Sequence, residues 1–290
     1  MKKITLIYLV LFSIFSCTKE TPKQNNTNNN VSSNKGDTTL INVAYGTHPR
    51  QVYDIHLPQN RYSSTPIILV IHGGAWKAGK KEEMNKYVNL IKGNWPSVAI
   101  VNMNYRLASN TEGIHHKEMM EDIDAAVQNI IEQTNNYQIS SNMAIMGASA
   151  GAQLSMIYAY KYNNNIKCVG NIFGPSKIND WAWYNSTNIW LGGKVGDILT
   201  EYVGQKWDST AYAAVSPLSS VNSNTPPTIS FHGSLDPIVP VSHSQLLKNE
   251  LNNKNIDNEY YELIAFHGFN DTQASDVTKK LVAFFKIYLK

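Results

Sequence analysis

The sequence predicts an α/β fold built on a doubly wound, mostly parallel sheet. A continuous apolar run of strand length at 66–71, and largely apolar runs at 98–102, 142–146 and 169–173, give the pattern of strands buried on both faces. Helix-length stretches separate them, clearest at 116–132, where Met119, Ile123, Val127 and Ile130 share one face. Glycine, histidine and serine gather where several of these runs stop, the end of the sheet at which such folds bind ligands. The 290 residues, 42% hydrophobic, suffice for a full core. A formal charge of +3, or +1 without Lys2 and Lys3, gives no basic face for nucleic acid. Cys17 and Cys168 are the only cysteines, which excludes a disulfide framework.

Taken in order, residues 1–16 read as a signal peptide: a basic start at Lys2-Lys3, an apolar run over 4–15, then a small residue. Ile14-Phe15-Ser16-Cys17 resembles a bacterial lipobox, which implies lipidation of Cys17, although Phe15 replaces the usual small residue. The polar stretch after it lacks apolar periodicity, so 17–37 is expected to be a lipidated flexible tether and 38–290 the folded domain. The expected location is the bacterial cell envelope, by lipid anchor, or the medium by secretion.

Within the folded domain, 39–45 and 51–57 alternate as paired strands and form an antiparallel edge. The buried run 66–71 opens the parallel core, followed by a helix at 80–92, a strand at 98–102 and the long helix at 116–132. After the strand at 142–146 come a helix over 153–161 and a strand at 169–173. Residues 175–225 then break the rhythm with Trp181, Trp183, Tyr184, Trp190 and Trp207, and are expected to form an insertion or cap after the fourth or fifth core strand. Strands at 228–231 and 259–265 and helices at 242–251 and 277–289 complete the sheet.

Gly147-Ala148-Ser149-Ala150-Gly151 lies between a strand and a helix. G-x-S-x-G in that setting is a nucleophile elbow, a strained turn that lifts the serine hydroxyl above the sheet. A serine hydroxyl is a poor nucleophile at neutral pH and needs a base, normally a histidine oriented by a carboxylate. His267 follows the strand at 259–265, and Asp236 follows the strand at 228–231. Each alone has an ordinary reading, Asp236 as a turn former before Pro237 and His267 as a loop histidine. Together with Ser149 they form a candidate catalytic triad. His72-Gly73-Gly74-Ala75-Trp76, directly after a buried strand, fits an oxyanion loop: Gly73, Gly74 and Ala150 would present backbone N–H groups to a developing negative charge. His72 reads as a structural hydrogen-bonding residue, since no metal-ligand spacing accompanies it. Cys168 reads as a buried apolar residue. Candidate substrate-binding residues are Trp76, Trp181 and Trp183.

From residue 54 onward these motifs resemble the α/β-hydrolase superfamily, and more closely its HGG-motif esterase and lipase branch. Tyr53-Asp54-Ile55-His56-Leu57-Pro58 is similar to the family's entry strand and Asn104-Tyr105-Arg106-Leu107-Ala108 to a characteristic strand end. The order Ser149, Asp236, His267 is the family's order. Ala75 stands where many relatives carry a third glycine, and no Pro-Glu pair follows Ala108. Both departures point to carbohydrate-esterase-like members. The resemblance implies a serine carboxylester hydrolase working through an acyl-enzyme, with no metal or cofactor. Its substrate would be an ester-bearing small molecule or polysaccharide, such as an acetyl or feruloyl ester, and membrane contact would come only through the N-terminal anchor. Two alternatives stay open: an arylformamidase or small peptidase using the same machinery, or a catalytically silent glycan-binding lipoprotein.

Overall fold

The computed structural model describes residues 36–162 and 165–290. The leader, the Cys17 lipidation site and most of the tether lie outside them. An eight-stranded sheet organises the fold. Its strands are β1 (Thr38–Ala44), β2 (Val52–Leu57), β3 (Ile67–Ile71), β4 (Ala99–Met103), β5 (Met143–Ala148), β6 (Ile166–Ile172), β7 (Thr228–Gly233) and β8 (Asn258–Leu263). The spatial order is β1-β2-β4-β3-β5-β6-β7-β8. β1 and β2 pair antiparallel, β2 runs antiparallel to β4, and every later pairing is parallel.

β3, β4 and β5 are buried at every position, as their largely apolar sequences require, with Asn102 of β4 the one polar side chain among them. Alternate side chains feed two cores. Ile67, Leu69 and Ile71 pack under α2 (His116–Glu132) and α3 (Ala150–Lys161), while Ile68 and Val70 face α1 (Asn85–Asn94) on the other side. The chain steps from β3 outward to β4 and then returns to β5 on the opposite flank of β3, with Ile71 opposite Gly147. That reversal is a topological switch point. It sets the carboxyl ends of β3 and β5, and therefore His72-Gly73-Gly74 and Ser149, side by side.

Several boundaries differ from the expectation. The predicted helix at 80–92 is a 3-10 turn, Lys81–Met84, running into α1. α3 starts at Ala150, directly after the elbow, rather than at 153. The last helix begins at Asp271, not 277, because Asn270 caps it and Gln273 returns a bond to the Asn270 amide. The insertion follows β6, the fourth parallel strand. It consists of short helices, the longest being α4 (Val195–Val203), and a two-residue hairpin pairing Thr187–Asn188 with Gly193–Lys194.

Candidate active site

Ser149 sits at the junction of β5 and α3 with φ 54 and ψ −123, a conformation disfavoured for a residue bearing a side chain. Small neighbours make it attainable. A Cβ on Gly147 would strike the Gly151 backbone, and one on Gly151 would strike the carbonyls of Ile71 and His72. Ser149 N–H donates to Ile172 O at 2.9 Å, and its own carbonyl accepts from Ala152 and Gln153, so both flanks of the turn are held.

The three candidate triad residues converge. His267 Nε2 lies 2.9 Å from Ser149 Oγ, and His267 Nδ1 lies 2.6 Å from Asp236 Oδ2. An ionised carboxylate only accepts, so Nδ1 carries the proton and Nε2 is free to accept from the serine hydroxyl. Asp236 is fully enclosed, with Oδ1 accepting from the amides of Ile238 (2.8 Å) and Val239 (3.0 Å). Burial pushes its carboxyl up, but the hydrogen bonds from His232, His267 and the Ile238 amide override burial and hold it well below the usual carboxylate range. It therefore stays an acceptor at neutral pH.

Two neighbours of the candidate triad have roles that the sequence does not announce. His232, on β7, bonds the Val239 carbonyl through Nε2 at 3.0 Å, which places the ring proton there, and Ser244 donates to Nδ1 at 2.7 Å. The same Nε2 is 3.3 Å from Asp236 Oδ2. The His232-Gly233-x-x-Asp236 spacing was the available signal. Phe173, with φ 42, packs its ring 4.6 Å from the His267 ring and 5.4 Å from that of Phe269. Nothing in its local sequence marks that role.

Gly73, Gly74, Ala150 and Ser149 all border a cavity of about 630 Å³. Gly73 passes against the elbow so closely that an added Cβ would sit 2.9 Å from Ala148 O and 3.2 Å from Ser149 Cβ. The amides of Gly73, Gly74 and Ala150 donate to no acceptor among the described residues, which leaves them available to an oxyanion. His72 lies beneath the loop rather than in the cavity. Its ring stacks on Tyr105 at 4.5 Å, its Nδ1 bonds Gly73 O at 2.7 Å, and burial pushes its imidazole down to about 4. It is a neutral structural residue. Cys168 is buried, and burial pushes its thiol up, away from thiolate chemistry. No cluster of three metal-ligating side chains occurs among the described residues.

The tryptophans divide. Trp183 and Trp190 border the cavity together with Leu191, Val195, Ile198 and Leu199 of the insertion. Trp76 also borders it, yet is only 3% exposed, its indole committed to Gln153 and Tyr202. Trp181 does not border it. Its ring stacks on Tyr184 and meets Trp207 edge-on in the insertion's own aromatic cluster, with its other side in solvent.

The BD-FAE family profile matches residues 53–251, most of the described domain. Over 223 residues the chain is 24% identical to the esterase LipC of Mycobacterium tuberculosis, covering 70% of this chain and 52% of LipC. Over 118 residues it is 30% identical to a kynurenine formamidase of Salmo salar, covering 40% of this chain and 37% of that protein. The chain thus spans about half or less of these curated relatives. Among solved structures it resembles a truncated carbohydrate esterase from gut microbiota (TM-score 0.72, 20% identity, 89% of this chain and 98% of that one). It also resembles a bifunctional GH43-CE protein of Bacteroides eggerthii (TM-score 0.74, 19% identity, 86% and 38%). At these identities the structural likeness speaks for the fold.

Proposed function

The chain belongs to the BD-FAE family, α/β-hydrolases of esterase type, and from that premise we propose that it is a serine carboxylester hydrolase with Ser149, His267 and Asp236 as its triad. The observation that carries this reading is the continuous relay from Ser149 Oγ through His267 to a buried, ionised Asp236 at the edge of a large cavity. His267 Nε2 takes the hydroxyl proton as Ser149 Oγ attacks the ester carbonyl carbon, and the new negative charge settles on the carbonyl oxygen. The amides of Gly73, Gly74 and Ala150 receive that charge. Collapse of the intermediate breaks the bond to the alcohol, which leaves with the proton held on His267. Water, deprotonated by the same nitrogen, then releases the acid and regenerates Ser149.

The substrate class is an acyl ester of a carbohydrate or small alcohol, acetyl or feruloyl. The likeness to a carbohydrate esterase and to a GH43-CE protein supports this, as does the apolar wall of Trp183, Leu191, Val195, Ile198 and Leu199. Anchoring through a lipidated Cys17 would place the enzyme at the cell surface among such polymers, and Cys17→Ser should then move it out of the membrane fraction. The kynurenine formamidase similarity favours a second reading, aryl formamide hydrolysis by the same residues. Both readings are tested by labelling with a fluorophosphonate and locating the adduct. An adduct on the Ser149 peptide supports nucleophilic catalysis, whereas an unlabelled, folded protein contradicts it and favours a glycan-binding module. Turnover of acetylated and feruloylated oligosaccharides against N-formyl anilines then separates the two chemistries.

A further inference from the structure

The oxyanion loop holds two non-glycine residues in the left-handed region, Ala75 at φ 50 and Trp76 at φ 61. Side-chain-bearing residues keep that conformation only where their surroundings over-determine it. The surroundings here reach well beyond the loop. Trp76 O accepts from the Ala108 amide at 2.9 Å. Its indole Nε1–H donates to Gln153 Oε1 at 3.0 Å, and its ring stacks on Tyr202 with centroids 4.2 Å apart and planes 15° from parallel.

Tyr202 comes from the insertion, on α4, and is fully buried. Its hydroxyl donates to the same Gln153 Oε1 at 2.9 Å. A phenol has one proton, so its 2.6 Å contact with His116 Nδ1 is a bond donated by the imidazole. Gln153 lies on the first turn of α3, just beyond Ser149, and its Nε2 donates to Val215 O, a second anchor on the insertion, at 2.8 Å. One buried amide therefore joins the oxyanion loop, the helix that follows the nucleophile and the insertion. An ion pair between Lys77 and Glu201 closes the same junction at its rim.

We propose that Tyr202 is a positioning residue for the oxyanion loop, acting through Trp76, so that the insertion belongs to the transition-state framework and is not a removable cover. Tyr202 does not border the cavity and touches no reacting atom. This inference rests on Ser149 being the nucleophile and 72–76 the oxyanion loop. Its effect must fall on the step in which negative charge develops, with substrate binding spared.

The test is the saturation kinetics of phosphonylation by a p-nitrophenyl alkylphosphonate. Ser149 Oγ forms a bond to phosphorus, p-nitrophenolate leaves, and His267 takes the serine proton. Tyr202→Phe keeps the stack and loses the hydroxyl; Trp76→Phe keeps a ring and loses the indole donor. Both should lower the maximal phosphonylation rate by about tenfold or more while leaving the half-saturating concentration within twofold, since each loosens donors that individually contribute far more. Tyr53→Phe is the control. It removes a comparable buried bond, to Asn129 at 2.7 Å, far from the cavity, and should lower stability without changing the rate. Unchanged rates in both test variants, with wild type labelled at Ser149, would overturn the inference and leave the proposed function standing. A raised half-saturating concentration with an unchanged maximal rate would also overturn it. Failure of wild type itself to react would instead sink the underlying reading. If one test variant does not fold, the other decides.

Discussion

At the residue scale the proposed chemistry depends on a strained serine and an enclosed carboxylate. Ser149 keeps its φ of 54 because Gly147, Gly151 and Gly73 let three backbone segments pass within contact. Gly151→Ala should therefore cost about 3 kcal/mol, at the high end for overpacking, because the added methyl meets the carbonyls of Ile71 and His72 rather than movable side chains. Urea unfolding would read the cost, and an unchanged midpoint would contradict this packing. Asp236 bonds His267 Nδ1 without bordering the cavity, and in the proposed mechanism it orients that ring. Asp236→Asn is expected to lower kcat by roughly 10³–10⁴ with KM little changed, because an amide can donate to Nδ1 and favour the wrong tautomer. The three residues of the proposed triad stand out in the sequence by chain order and by their place after buried strands. The support behind Asp236 does not: its neighbour His232 is held by Ser244 from a different element, and that meeting depends on how α5 (Ser242–Asn253) packs on β7.

At the element scale, legibility followed the strength of the apolar pattern. The helix over 116–132 was found to the residue because its buried face repeats for more than four turns. The first two turns of the final helix, rich in polar residues, offered no such face; only the Asn270 and Gln273 capping box marked their start. The insertion was visible only as a break, since helices of four to nine residues carry too few turns for a period to emerge. Trp181 and Trp183 lie on one short helical turn, yet one packs outward and the other borders the cavity. Trp183→Ala should raise KM for esters of bulky aromatic acids several-fold. Trp181→Ala should leave KM within twofold. Steady-state kinetics on a matched acetyl and feruloyl pair would check both, and a larger effect from Trp181 would contradict the assignment.

At the scale of the whole molecule, the switch point between β3 and β5 decides where the site must lie, and buried imidazoles link the fold to pH. Burial is the largest influence pushing His72, His116 and His243 down to about 4. In the unfolded chain these groups take up protons near 6.5, whereas the native protein refuses them until about 4. Between those values the unfolded state binds more protons, so stability falls as pH drops from about 6.5 toward 4, by up to about 1.4 kcal/mol per unit for each imidazole. The lowered Asp236 carboxyl adds a further loss at still lower pH. Urea midpoints at pH 7.5, 6 and 5 should decline in that order; a flat series would contradict the burial of neutral histidines. The central claim, nucleophilic catalysis by Ser149, is tested most directly by hydrolysis of p-nitrophenyl acetate by the wild-type protein and Ser149→Ala side by side. Turnover by the former and a loss of at least about a hundredfold in the latter is the predicted result. Equal, trivial rates in both proteins would contradict it.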